Sequence, residues 1–208
     1  MTPALVVIAK APRAGRSKTR LCPPCTPRQA ATLARAALVD TLEAVRAAPA
    51  ARHVLVLDGE PGDWLPAGFE VLRQRGGGLD ERLANAFADV AGPALLIGMD
   101  TPQVTPGDLV EGLVLLAQPG VDAVLGPAPD GGYWAIGLRE PDSRAFRGVP
   151  MSTARTCAAQ RERLAGLGLR VRDLPALRDV DRIADAHAVA ALAPTGRFAR
   201  ALALVGAA

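Results

Sequence analysis

Aromatic side chains are scarce. Phe, Trp and Tyr make up 3% of the 208 residues, and Tyr133 is the sole tyrosine. Proteins that bind nucleic acid by stacking set aromatics among basic residues, and no such stripe runs through this chain. The net charge of +3 is too small to hold a polyanion by charge alone. A nucleic-acid partner is therefore not expected. Histidine is limited to His53 and His187, and cysteine to Cys22, Cys25 and Cys157. An odd number of cysteines does not make a secreted disulfide framework. Long apolar runs are missing as well. Nothing approaches the roughly 18 uninterrupted apolar residues of a membrane helix. No charged segment precedes the first apolar run, so neither a signal peptide nor a membrane partner is expected. A reducing cytoplasm is the expected location.

What is present fits a globular enzyme-sized chain. Half of the residues are apolar and 22% are charged, enough for a sizeable core in a single domain over residues 1–208. The 18 prolines and 21 glycines are scattered, so no low-complexity linker divides the chain. Arginine and alanine are abundant and lysine is rare, a bias that by itself assigns no function.

Short apolar runs alternate with helical patterns. ALVVIA (residues 4–9) lacks polar alternation, as a strand buried on both faces should. Thr26-Pro27 opens a helix to Val45, with Thr as N-cap and Pro at the first helical position. HVLVLD (53–58), FEVLR (69–73) and PALLIGMD (93–100) read as strands, with a helix over 80–91. Thr105-Pro106 starts another helix, to about Ala117. Residues 122–138 read as two strands around a Gly- and Pro-rich loop. A helix over 152–167 and a last strand over 169–174 follow, then short helices. The alternation predicts an α/β fold: a three-layer α/β/α sandwich on a mixed, mostly parallel sheet. The final ALALVG segment is suited either to capping the core or to a homodimer contact.

In such sheets ligands bind at the carboxyl ends of the strands. That edge would gather the loop after the first strand, Asp100 and the loop around Asp130. The first loop, KAPRAGRSKTR, carries Lys10, Arg13, Arg16, Lys18 and Arg20 with no acid among them. It is not a nucleotide-hydrolase P-loop, because the GxxxxGK(S/T) spacing fails: Ser17, not Gly, precedes Lys18-Thr19, and Lys10 stands five residues before Gly15. A GxGxxG fingerprint is absent too. Cys22-Pro23-Pro24-Cys25 does not directly follow the strand as a thioredoxin-type motif would, and a zinc site would need about four ligands. The two thiols read as loop residues. The charge run reads as a phosphate cradle, since charge-assisted contacts of ~1.5–3 kcal/mol each are strong enough to dominate ligand binding. Transfer chemistry on a nucleotide also calls for a hard cation, Mg²⁺ or Mn²⁺, on carboxylates. Asp100 at a strand end, and Asp179 or Asp181 in LRDVD, are the candidates.

The segments AKAPRAGRSKTRL, GMDTP, GPAPDGGYWAIGL, FRGVPMST and LRDVD occur in this order across nearly the whole chain. Together they resemble a bacterial family of the nucleotide-diphospho-sugar transferase superfamily, which has the Rossmann-like glycosyltransferase-A fold. Members are often named arsenosugar-biosynthesis-type glycosyltransferases. The basic loop is also similar to that of phospholactate guanylyltransferases, with their Lys-Ser/Thr-Arg-Leu segment. The resemblance implies that Lys10, Arg13, Gly15, Lys18 and Arg20 hold nucleotide phosphates. It implies Asp100 and Asp181 as metal ligands, and Gln74 and Gly76 to Gly78 as the loop near the nucleobase. Asp130, Gly131, Gly132, Tyr133, Ser152 and Thr153 would line the acceptor side. Three positions depart from the family pattern: Met151 for Trp, Arg182 for Thr and Asp80 for Gly.

Two reactions fit these residues. In the favoured one, a small phosphorylated or phosphonate acceptor attacks the α-phosphate of an NTP and pyrophosphate leaves, with Lys18, Arg20 and Asp100 neutralising charge. In the other, a nucleotide-sugar donates its glycosyl group and Asp130 acts as base. A non-catalytic nucleotide-binding module is the third reading, supported by the altered segment after Asp181.

Overall fold

The computed structural model describes residues 3–206. Met1, Thr2, Ala207 and Ala208, included in the single-domain expectation, lie outside the described residues. Seven strands form one sheet: β1 (Ala4–Lys10), β2 (His53–Asp58), β3 (Glu70–Arg73), β4 (Ala94–Ile97), β5 (Ala123–Pro127), β6 (Tyr133–Leu138) and β7 (Val171–Asp173). Their order is β3-β2-β1-β4-β6-β5-β7. All neighbouring pairs are parallel except those of β6, which runs antiparallel to β4 and β5. The expected mixed, mostly parallel α/β architecture is the one observed.

The continuous apolar character of β1 has a direct cause. Leu5, Val7 and Ala9 point into one core cluster, with Leu38 and Leu42 of α1 (Pro27–Ala47) and Leu109 and Leu113 of α3 (Pro106–Ala117). Ala4 and Val6 point into the other, with Leu83, Ala86 and Phe87 of α2 (Leu79–Val90) and Leu164 of α4 (Thr156–Gly166). Helices therefore cover both faces, and polar alternation would place a polar group in a core. Each fully buried Leu contributes ~1.5–3 kcal/mol relative to exposure.

A third cluster lies behind α1. Leu21, Cys25, Leu33 and Ala37 meet Val180, Ala186 and Val189, the last two on α5 (Ile183–Leu192), and Phe198 and Leu202 on α6 (Arg197–Gly206). Within the C-terminal ALALVG segment, Leu202 packs into this cluster beside Phe198, while Leu204 faces outward.

Helix α1 starts where the Thr-Pro signal places it. Thr26 Oγ1 accepts from the Gln29 N–H at 3.3 Å and Gln29 Oε1 accepts from the Thr26 N–H at 2.8 Å. This reciprocal box satisfies two otherwise orphan donors. Thr26→Ala is expected to lower unfolding stability by about 1 kcal/mol, read as a shifted urea midpoint at unchanged slope. No change would show that the box contributes nothing here.

Strand and helix limits differ most from the sequence expectation at the end of β4 and the start of α4. β4 stops at Ile97, so Gly98 and Met99 lie between the strand and Asp100. Helix α4 starts at Thr156, not at residue 152. Ser152 sits at a left-handed φ of 59°, which an α-helix does not use.

Candidate functional site

The chain runs from β1 through β2 to β3 on one side of β1, then returns to place β4 on its other side. The carboxyl ends of β1 and β4 therefore flank a switch point, where crevices open in sheets of this type. Because β6 is antiparallel, its first residue, Tyr133, stands at this same edge, and so does the 128–132 loop that precedes it. A cleft of about 670 Å³ opens there.

Three segments bring charge into the cleft. After β1, the loop folds back on itself: the Arg13 N–H donates to Ser17 Oγ at 2.9 Å and the Ser17 N–H to the Arg13 carbonyl at 3.0 Å. Ser17 is buried, and Lys18 follows with a left-handed φ of 48°. The turn aims Lys18 inward. After β4 comes Asp100. The third segment is Asp179-Val180-Asp181. The Val180 N–H donates to the Asp100 carbonyl at 2.9 Å, and its side chain is buried in the third cluster. With Val180 anchored in the core, both flanking carboxylates face the cleft.

Asp100, Asp179 and Asp181 each offer an oxygen, and these three lie within 4.8 Å of one another. Among the described residues this is the one group of three or more possible ligands so placed. The all-oxygen donor set suits a hard divalent cation. In this structure the counter-charge comes from the protein: Lys18 Nζ lies 2.5 Å from Asp100 Oδ2 and 3.2 Å from Asp181 Oδ1, and Arg20 Nη1 lies 2.6 Å from Asp181 Oδ2. Burial opposes charge on Asp181, but Lys18 and Arg20 outweigh it and hold its carboxyl below the usual range. Burial likewise opposes charge on Lys18, and Asp100 and Asp181 outweigh it.

Among the described residues no such cation pairs with Asp179. Burial, then the charges of Asp100, Asp130 and Asp181, push its carboxyl up from 3.8 to about 6. Between those values the folded chain holds a proton that the unfolded chain has released, so stability falls as pH rises through this window. Asp179→Asn is expected to flatten that slope in the metal-free protein. Urea midpoints of both proteins at about pH 4 and about pH 7 test it; an identical slope in the variant would contradict the assignment.

Of the expected phosphate-binding residues, Lys10, Lys18 and Arg20 line the cleft, and Arg13 and Gly15 do not. Arg13 and Gly15 shape the turn, where Gly15 has a φ of 75°. Arg16, Ser17 and Thr19 line the cleft instead. The signal for Arg16 lay in the charge run itself.

On the β2–β3 side, Gln74 and Gly77 line the cleft, and Gly76 and Gly78 do not. Gln74 Nε2 donates to the carbonyls of Ala9 at 2.6 Å and Val56 at 3.1 Å. Its amide hydrogens are thus committed to the backbone, and its Oε1 faces Arg82 Nη1 at 3.4 Å. Arg82 lines the cleft beside Leu79 and Leu83. It was not legible in the sequence, where it reads as one more charge on a helix.

On the third side stand Asp130, Gly132, Tyr133, Ser152 and Thr153. Gly131 does not line the cleft. Asp130 Oδ1 accepts from the Gly132 N–H at 2.8 Å. The Tyr133 ring lines the cleft, while its hydroxyl lies 3.3 Å from Gln160 Oε1. Burial raises its pKa well above the ordinary value. Met151, at the position of the usual Trp, also lines the wall. Arg182 leaves the turn intact, because its N–H donates to Asp185 Oδ2 at 2.9 Å at the start of α5.

Cys25 is buried in the third cluster, and burial, then Cys22, pushes its thiol up, away from the thiolate that redox or metal chemistry uses. The two thiols support packing under the loop.

The sheet order and this edge define the nucleotide-diphospho-sugar transferase type of fold, and solved structures agree. A protein from Desulfovibrio desulfuricans G20, described as a "putative nucleotide-diphospho-sugar transferase", is similar with a TM-score of 0.78 and 28% identity, over 88% of this chain and 84% of that one. CMP:2-keto-3-deoxy-manno-octonic acid synthetase complexed with CTP aligns with a TM-score of 0.62 at 14% identity, over 93% of this chain and 99% of that one. The 2-C-methyl-D-erythritol 4-phosphate cytidylyltransferase of Thermus thermophilus aligns with a TM-score of 0.58 at 18% identity, over 93% of this chain and 100% of that one. The last two share the fold. No curated protein matches the sequence. The family model described as "Uncharacterized protein conserved in bacteria (DUF2064)" matches residues 31–153, and the chain belongs to that family. No helix among the described residues is long and apolar enough to cross a membrane.

Proposed function

We propose that the protein is a divalent-cation-dependent transferase acting on a nucleotide. In the favoured reading it joins an NMP to a small phosphorylated or phosphonate acceptor and releases pyrophosphate. The observation that carries this reading is the meeting of Asp100, Asp179 and Asp181 with Lys18 and Arg20 in one cleft at the carboxyl edge. Carboxylates to hold a cation and cations to hold phosphates are the two halves of such a site.

Asp100 and Asp181 would hold Mg²⁺ or Mn²⁺, with Asp179 completing the oxygen set. Bound there, the ion would offset charge on the α-phosphate region. Lys10, Arg16, Lys18 and Arg20 would bind the outer phosphates and neutralise the departing pyrophosphate. An acceptor oxygen would then form the new bond to the α-phosphorus as the bond to the bridging oxygen breaks. The side chains orient and stabilise; no covalent enzyme intermediate is needed. Ser152, Thr153 and the Gly132 region would position the acceptor.

Glycosyl transfer from a nucleotide-sugar is the second reading. The position of Asp130 favours it: Asp130 lines the cleft with one oxygen on the Gly132 N–H and the other available to an acceptor hydroxyl.

Incubation with each NTP, Mn²⁺ and a panel of small phosphates and phosphonates tests the first reading. Pyrophosphate released in step with acceptor consumption is the expected result. Consumption of a nucleotide-sugar without pyrophosphate would replace it with the second.

A further inference from the structure

We infer that Lys18 is an internal counter-cation that stands where the divalent ion would bind and must leave for the ion to enter. Phosphate binding and metal binding would then be coupled through one side chain. The inference rests on reading the acid cluster as the cation site.

Lys18 Nζ reaches Asp100 and Asp181 at once, at 2.5 and 3.2 Å. Its side chain is only 11% exposed, whereas that of Arg20 is 61% exposed at the rim. The ammonium is thus inside the cluster, and the guanidinium is beside it. Residue type supports the distinction. Lys10 and Lys18 are the only lysines among 24 basic residues. In a chain that otherwise uses arginine, the cluster receives the compact, point-like charge, which matches a small cation better than a flat guanidinium fork does.

The two occupants exclude each other. A Mg²⁺-sized ion binds carboxylate oxygens at about 2.0–2.1 Å. Asp100 and Asp181 cannot both present those oxygens to the ion and to an ammonium lying between them without setting two cations against each other. Lys18 has a flexible stem and sits on a loop beside Arg16 and Arg20. A nucleotide's phosphates would be the anion within its reach after displacement. The phosphates draw the ammonium away, the acids are released, and the ion enters. Without a nucleotide, Lys18 keeps Asp100 and Asp181 together and blocks weak metal binding.

Mn²⁺ titration without nucleotide, by calorimetry at about pH 8, tests this on the wild type, Lys18→Met, Arg20→Met and Asp100→Asn. Lys18→Met is expected to bind Mn²⁺ at least about tenfold more tightly than the wild type. It should also gain more thermal stability from Mn²⁺, by mass action. Arg20→Met should change affinity far less, although it removes the same charge from the same cluster. Asp100→Asn should bind weakly. Equal Mn²⁺ affinity in wild type and Lys18→Met overturns the inference and leaves the cation site standing. So does an equal rise in Lys18→Met and Arg20→Met, which would be a general charge effect. Absence of Mn²⁺ binding in every protein removes the cation site and the inference together. The metal-free unfolding transition of each variant shows that it is folded before titration.

Discussion

Asp100→Asn is expected to lower metal-dependent turnover by roughly a hundred- to a thousandfold, the range typical for loss of one group that stabilises transition-state charge. Asn keeps the shape of Asp and still accepts a hydrogen bond from Lys18, so the fold should survive. What it loses is the negative charge at the one acid fixed by a central strand. Asp179 and Asp181 sit on a connecting segment and depend on Val180 for their aim. Asp100 follows β4 closely, and the Gly98 N–H is tied to the Trp134 carbonyl at 3.1 Å. The loss should appear in kcat, with an unfolding midpoint close to wild type. Turnover within about twofold of wild type would remove Asp100 from the cation site.

Gly131→Ala is expected to be the most disruptive small substitution near the cleft. Gly131 has a φ of 90°, and a Cβ there would lie 2.0 Å from the Ala154 carbonyl oxygen. The clash is with backbone, so no side-chain rotation relieves it. Two loops meet at this point: the Cys157 N–H also donates to the Gly131 carbonyl at 2.8 Å. Alanine must push the loop holding Asp130 away from the one holding Ser152 and Thr153. We expect a loss of about 3 kcal/mol or more in unfolding stability, with weaker acceptor use in the folded fraction. Gly15→Ala is the control. Its Cβ would meet nothing within 4 Å, although its φ of 75° is also left-handed, so it isolates the cost of φ alone, roughly 1–2 kcal/mol. Equal effects of the two substitutions would show that the loops do not bear on each other at Gly131.

Much of this was legible in local patterns. Strands buried on both faces announce themselves as continuous apolar runs, because helices on either side leave no face for polar groups. Thr26-Pro27 and Thr105-Pro106 mark helix starts because the capping chemistry is local. The acids and the basic loop could be placed at one edge because parallel strands carry their following loops to the same side. Other features depend on what lies across the sheet. Nothing within residues 133–138 says that β6 inserts antiparallel between β4 and β5, since its apolar pattern fits either direction. The start of α4 was displaced by Ser152 and by the Thr156 hydroxyl, which donates to the Pro150 carbonyl at 2.8 Å. Asp179 joined the cluster because Val180 is buried beneath α1, α5 and α6. The hold of Lys18 on Asp181 spans 163 positions of sequence, so a residue that reads as a phosphate ligand is found on carboxylates instead.

The proposed mechanism centres on a nucleotide and a divalent cation sharing the cleft between β1 and β4. The most direct measurement is calorimetric titration of the wild-type protein with each of the common NTPs, in Mn²⁺ and in a chelator. At least one NTP should bind in Mn²⁺ and lose most of its affinity in the chelator. Binding of no NTP, or binding unchanged by the chelator, would contradict it.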